Sequence, residues 1–489
     1  MKAINEVVIL GWDAPSVSDR AAHRIAAFLG ADATLVALSA QELAGRASVR
    51  GVVPECACLI ANVETLAEAA RAIPNGLAGL SELIAGAAKN IFVYGFTASE
   101  PHVAILRLLS SDALVGVLKM SKPSASFSVT GSSREWCGQF SGLSVRAADP
   151  TREHQFVEGP VERSLTELIR LAGLPYFVRT AWSGSQAFLV CGSVADLEES
   201  VLRNSRPLSW FSRLMPLMMF LRGALGDRVW HGDAPRACLI IDDPLLKQRY
   251  GFLEYRRLME TMRRRKFSTS IAFIPWNYRR SQRDVAALFA SSPDAPSLCV
   301  HGCDHTDSEF ATTDFDSLHG KAHLALERMG AHHRLSGVPF DDVMVFPQGR
   351  FTSEAVAALN AAGYLATVNG DVCPRNVRDT WVLRDLLEVA VTRFADFPLF
   401  SRRYPRDLAE FAFDLFVGKP ALAVEHHGYF QSGYGELESF VDQLNRLDER
   451  LEWTSLAKVC SQAHLTKTAA DGTVPVSYTH LTLPTIYSV

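Results

Sequence analysis

Residues Ala237–Pro244 read ACLIIDDP: five apolar residues, two carboxylates, then proline. A short and wholly apolar run is the pattern of a strand covered on both faces, as in a parallel sheet. Two acids at its end are costly to bury unless they are paired or bind a cation. The same design recurs on either side. Ser270–Tyr278 reads SIAFIPWNY, Ser297–His305 reads SLCVHGCDH, Val343–Phe351 reads VMVFPQGRF and Ala421–Phe430 reads ALAVEHHGYF. Tyr364–Val368, YLATV, adds another strand. Between these runs, apolar residues fall at helical spacing near 252–265, 284–290, 321–335 and 353–362. Strands alternating with single helices imply a barrel-type sheet, in which reactive groups gather beyond the C-terminal ends of the strands.

The polar residues fall at those ends: Asp242 and Asp243, Trp276 and Tyr278, His301 and His305, then Pro347, Gly349 and Arg350, then Glu425, His426 and His427. Histidines at i and i+4 share one side of a helical turn and can grip a single metal ion. Two imidazoles and one carboxylate, Asp243, make a three-ligand site with a position left for water. Asp242 then lies beside the ion, placed to take a proton. Each pair alone has an ordinary structural reading, as a satisfied histidine pair or a helix-capping acid. Their coincidence at successive strand ends favours a metal site.

From about Arg236 to Gln462 these motifs, in this order, resemble the polysaccharide deacetylase (NodB-homology) superfamily, a distorted (β/α) barrel of metal-dependent hydrolases. IIDDP looks like its first motif, HGCDH its second, and FPQGRFTSEAVAALNAAGY its third, while EHHG occupies the place of its last. The resemblance implies Asp242 as base and Asp243, His301 and His305 as ligands of one divalent cation. Zinc is the first expectation, with cobalt, nickel or iron(II) as alternatives. It also implies a late histidine that protonates the leaving group; His427 is favoured over His426, although period-two alternation does not choose between them. Trp276, Tyr278, Pro347, Gly349 and Arg350 are expected to line the substrate site, and Asp371 to orient the acid. The arginine that the family places two residues before the third-motif proline is Val345 here, which leaves Arg350 or Arg393 to hold the base. The implied activity is removal of an acyl group from an N-acylated sugar or related conjugate. Alternatives are a non-catalytic carbohydrate- or partner-binding barrel, and an amidohydrolase acting on a non-sugar amide. The substrate is thus expected to be a small molecule or an oligosaccharide.

The first two hundred residues show a second alternating pattern. EVVIL, ATLVAL, CLIAN, NIFVYGF, GVLKM and AFLVCG read as strands, with helical stretches between them. This predicts an N-terminal α/β domain with a mainly parallel sheet over 1–203, a helical connector over 204–232 with a Met-rich face, the barrel over 233–465 and a tail over 466–489. The first strand is followed by ILGWDAPS, which lacks the glycine spacing of a phosphate-binding loop. The end, PVSYTHLTLPTIYSV, changes character abruptly and reads as non-native read-through, so residues after about Gly472 are set aside.

A chain of 489 residues exceeds one ordinary core. A net charge of -4 gives no reason to expect a nucleic-acid partner, and the arginines of YRRLMETMRRRKF read as the solvated side of an amphipathic helix. Nine dispersed cysteines are no disulfide framework. The start carries no secretory pattern, and Leu214–Leu225 is interrupted by Pro216 and Arg222 and falls short of the roughly 20 residues that cross a bilayer. A cytoplasmic protein without an integral membrane segment is the expectation, with no oligomeric state implied.

Overall fold

The computed structural model describes residues 5–478, apart from 45, 47, 161–164, 203–204, 293, 378–380 and 470. It divides into two units: the described residues up to Glu199 with 205–231 and 466–475, and those of 200–202, 232–465 and 476–478.

The first unit is built on a nine-stranded sheet. Its strands Ala33–Leu38, Asn5–Trp12, Cys56–Asn62, Ala88–Tyr94 and Ser185–Val190 lie side by side in that order and run parallel. Val7 to Leu10 and Leu59 to Ile60 are fully buried, as apolar runs covered on both faces should be. Four antiparallel strands, Leu174–Trp182, Leu165–Leu171, Ser126–Val129 and Ser144–Arg146, extend the sheet. GVLKM is a strand, Leu114–Lys119, but it pairs with His154–Glu158 in a separate ribbon. The helix Phe211–Leu225, expected as a connector, belongs to the core of this unit. Phe220 packs 5.1 Å from both Phe92 and Phe188, and Met215, Met218 and Met219 are buried. Its apolar faces are satisfied at home, which the sequence of a single amphipathic-looking segment does not reveal. Residues 466–475, read as part of a tail, group with this unit, where Thr468 N–H donates to Asp227 O; residues 479–489 lie outside those described.

The second unit is the barrel. Its strands are β1 (Arg236–Asp242), β2 (Thr269–Phe273), β3 (Ser297–His301), β4 (Asp341–Val345), β5 (Ala366–Asn369), β6 (Leu399–Ser401) and β7 (Ala421–His426), in the parallel order β6-β5-β4-β3-β2-β1-β7. A short strand, Glu452–Trp453, also pairs with β1. The strand β6 has three residues, too few for a periodic signal, and the sequence reading does not contain it. The curled sheet has edges at β6 and β7. Arg403 joins them, its N–H donating to Leu422 O and its carbonyl accepting from Val424 N, both at 2.9 Å. Inside lie Ile240, Ala272, Cys299, Val343, Val345, Val368, Phe400 and Val424. Because side chains alternate along a strand, residues two positions beyond Ile240, Cys299, Phe400 and Val424 project into the same barrel mouth. These are Asp242, His301, Arg402 and His426.

Helix Phe315–Ser336 carries a buried histidine, His332, against Phe273 (ring centroids 4.9 Å apart). Ser281 Oγ lies 2.8 Å from its Nε2 and Ser336 Oγ 3.4 Å from its Nδ1, so the neutral ring's one donor and one acceptor are both met. Burial lowers its pKa to about 4, with His333 adding to the effect. The folded value lies below the unfolded one. Its contribution to stability is therefore full above about pH 6.5 and is lost as pH falls towards 4. Urea unfolding at pH 7 and pH 4.5 is expected to show wild-type protein losing more stability between the two than His332→Gln. Equal losses would contradict a neutral buried imidazole.

Among the described residues no helix is long and apolar enough to cross a membrane. All nine cysteines are buried and unpaired in disulfides.

Candidate active site

Asp242 ends β1 inside the barrel mouth, and the next residue, Asp243, adopts φ +79°, a left-handed conformation unusual for a side chain larger than glycine. That reversal turns consecutive carboxylates to different tasks. Asp243 Oδ1 meets His301 Nε2 at 3.1 Å and His305 Nε2 at 3.2 Å. The three ligand atoms lie within 4.8 Å of one another.

His301 is buried at the end of β3, and its Nδ1 lies 2.9 Å from Val345 O. A carbonyl only accepts, so Nδ1 carries the proton and the neutral ring presents a lone pair at Nε2. Asp243 Oδ1 is buried without a hydrogen-bond donor. A carboxylate oxygen and an imidazole lone pair at 3.1 Å repel unless a cation stands between them. The orphaned oxygen and the two imidazoles thus fit a divalent ion, and two histidines with one carboxylate are a common set for zinc. Burial alone would raise the Asp243 carboxyl; imidazoles protonated at Nε2, in place of an ion, would reverse this and hold it far below the usual carboxylate range. His305 in turn is raised by Asp243, against the opposing effect of burial.

His305 does not reach Asp243 through a helical turn, as its spacing suggested. Residues 302–305 form a loop outside any helix, with φ +64° at Gly302 and φ +59° at His305. Glu309, buried, organises it by accepting from Cys303 N (3.1 Å), Asp304 N (2.8 Å) and His305 N (3.2 Å). A Cβ at Gly302 would stand 2.4 Å from Pro347 Cγ and 2.5 Å from Glu309 Oε2, so only glycine fits there. Cys303, Asp304 and Glu309 also cluster at ligand distance. Glu309 is already engaged by the backbone there, and the Arg328 guanidinium reaches Asp304 and Cys303 Sγ.

Asp242, the expected base, has a partner that the sequence reading missed. Arg402 donates to both oxygens of Asp242, Nη1 to Oδ1 at 2.7 Å and Nη2 to Oδ2 at 2.8 Å, with both residues buried. Burial by itself would raise the Asp242 carboxyl; the Arg402 guanidinium, together with His301 and His426, more than offsets it and keeps the group below its ordinary value. The expected candidates sit elsewhere. Arg350 bonds Asp307 and Ser308 at the rim, and Arg393 bonds Asp385 at 2.6 Å and lies over the Trp381 and Phe394 rings.

Strand register separates the late histidines. Asp242 pairs with His426 across β1 and β7, so their side chains share the inner face. His426 Nε2 lies 4.0 Å from Asp242 Oδ2 and 3.9 Å from Asp243 Oδ2. His427, the expected acid, begins the following 3₁₀ turn and packs beneath a hairpin, its ring 5.2 Å from Tyr250 and 6.5 Å from Phe252, with Gly251 close above Nδ1. His426 therefore takes the place expected of His427.

The remaining predicted residues surround this centre or support it. Trp276 is 55% exposed, lies beneath the Arg328 guanidinium and donates its backbone N–H to Cys303 O, which ties its turn to the ligand loop. Tyr278 carries Arg279 over its ring. Pro347 packs against Gly302 of that loop, and Gly349 O accepts from Asn369 Nδ2. Asp371 Oδ1 accepts from Cys373 N within its own turn.

No family model and no curated protein matches the chain. Solved structures do. Agd3, described as a novel carbohydrate deacetylase, is similar over 94% of this chain and 87% of its own, with a TM-score of 0.55 and 9% identity. The Xyl-CE4 domain of a multidomain xylanase from the hindgut metagenome of Trinervitermes trinervoides is similar over 47% of this chain and 91% of its own (TM-score 0.29, 10% identity). A CE4 pseudoenzyme from Bacillus anthracis is similar over 47% of this chain and 67% of its own (TM-score 0.29, 10% identity). The chain shares the fold of Agd3, and its second unit is a curled parallel barrel. At this sequence distance the likeness concerns the fold.

Proposed function

We propose that the second unit is a metal-dependent deacetylase that hydrolyses the acyl–nitrogen bond of an N-acylated sugar. The observation that carries this reading is the meeting, in one barrel mouth, of the Asp243–His301–His305 cluster, the Asp242–Arg402 pair and His426. A divalent ion held by the cluster would activate a water molecule near neutral pH and polarise the acyl carbonyl. Asp242, kept ionised and pinned by two hydrogen bonds from Arg402, accepts the proton that water gives up as it attacks the carbonyl carbon. His426 Nε2 donates a proton to the departing nitrogen as the carbon–nitrogen bond breaks, because an amide anion is too poor a leaving group to depart unprotonated. Exposed rings at the rim, Trp276 and Phe252 (39% exposed), suit a sugar face. The absent third-motif arginine motivated the non-catalytic alternative; Arg402 on Asp242 removes that motive.

Acetate release from N-acetylglucosamine, its oligomers, acetyl esters and simple acetamides, measured with Zn²⁺, Co²⁺ or Ni²⁺ present, tests this reading. Wild-type protein is expected to deacetylate an N-acetyl sugar, and Asp242→Asn to lose about 10²–10⁴-fold in kcat. No turnover of any substrate by ion-loaded protein, or an Asp242→Asn variant as active as wild type, would defeat it.

A further inference from the structure

We propose that Tyr404 is the positioning residue for His426, with Arg406 holding Tyr404 in place; this rests on the reading of His426 as the proton donor. A general acid works only while its ring points at the leaving atom, and a misplacement of about 1 Å can cost about 10²-fold. His426 is 43% exposed, and its ring takes part in none of the hydrogen bonds found among the described residues; its Nε2 faces only the two carboxylates near 4 Å. Something else must restrict its χ2 rotation. The Tyr404 ring lies nearly parallel to the imidazole, 16° from coplanar, with centroids 6.4 Å apart, inside the range of offset aromatic pairs.

Tyr404 is itself held. The Arg406 guanidinium carbon lies 4.9 Å from its ring centroid, and Arg406 N–H donates to Tyr404 O at 2.8 Å. The same short segment, SRRYPR, is anchored upstream by Arg402 on Asp242 and by Arg403, which pairs with Asp414 and bridges to β7. One stretch of chain therefore fixes the proton acceptor through a salt bridge and the proton donor through a ring face. Tyr404 touches neither reacting atom in this scheme. Its effect passes through His426.

The tests use Tyr404→Ala, Tyr404→Phe and Arg406→Ala in the full chain. Protonation of the leaving group matters for an N-acetyl sugar but little for p-nitrophenyl acetate, whose phenolate leaves readily. Tyr404→Ala is expected to lower kcat on the amide by about 10–100-fold while changing the ester rate by less than about 2-fold. Tyr404→Phe, which keeps the ring, should restore the amide rate, and Arg406→Ala should fall between. Equal losses on both substrates, an increase confined to KM, or no rescue by phenylalanine would overturn the proposal; the KM result would make Tyr404 a sugar platform instead. A second readout does not need turnover. The His426 Cε1–H signal, assigned by its loss in His426→Gln, should carry a ring-current displacement that Tyr404→Phe retains and Tyr404→Ala abolishes. If wild-type protein releases no acetate, the deacetylase reading fails, and this signal still decides the positioning role. An imidazole signal indifferent to Tyr404→Ala sinks it.

Discussion

Arg402→Ala is expected to destabilise the second unit by about 3–5 kcal/mol at pH 7, the usual consequence of removing one partner of a buried ion pair. Both residues are buried, so losing the bidentate guanidinium strands the Asp242 charge away from bulk solvent. The sign of the pH dependence follows from the carboxylate. In wild-type protein the folded pKa of Asp242 lies below its unfolded value, so its contribution is present above that unfolded value and is lost as pH falls through the folded one. Without Arg402, burial dominates and raises the folded pKa, and the variant loses stability as pH rises. The gap between wild type and variant should therefore be widest near neutrality and shrink towards pH 4. A double variant, Arg402→Ala with Asp242→Asn, should recover part of the loss because no charge is stranded. Chemical unfolding at pH 7 and pH 4.5 measures all three. A single variant within 1 kcal/mol of wild type at pH 7, or a double variant worse than the sum of the singles, would show the pair to be solvated.

Asp243→Ala should abolish stoichiometric binding of Zn²⁺. Losing even an outer partner of a metal ligand typically costs about 10–100-fold in affinity, so losing the only carboxylate of the cluster should exceed that. Calorimetric titration of wild type, Asp243→Ala and His305→Ala gives the comparison. Thermal unfolding gives a second, since an ion at 100 times its Kd adds about 2.7 kcal/mol to stability, and this increment should vanish in both variants. Because Asp243 raises the pKa of His305, protons compete for the same nitrogen, and affinity should be weaker at pH 6 than at pH 8. An ion bound equally by all three proteins would place it elsewhere.

Much of this was legible in the chain itself. Apolar runs alternating with helical stretches located six of the seven barrel strands, and acids and histidines at the ends of some of them located the cluster of Asp243, His301 and His305, because such residues at strand ends need partners and a parallel sheet brings its ends together. What the sequence left hidden is tertiary. ALAVEHH is apolar up to its acid, so no alternation showed that His426 shares the face of Val424; only the register of β7 against Asp242 does. Arg402 follows a three-residue strand and reaches a carboxylate 160 positions away, a separation that no local pattern encodes. Glu309 looked like one acid among several near the histidines, yet it gathers three amide protons of their loop. The Met-rich helix read as a connector because its burial partners, Phe92 and Phe188, belong to strands far back in the chain.

The junction at Arg403 has a bearing on how this barrel can tolerate motion. Two consecutive residues are divided between two duties, one closing the cylinder with a pair of main-chain bonds and the other gripping the Asp242 carboxylate. Strain that parts β6 from β7 must drag the adjacent guanidinium with it. If Asp242 acts as proposed, breathing at that seam and loss of the poised carboxylate are one event, and rigidity where the cylinder is most thinly stitched becomes a requirement for turnover.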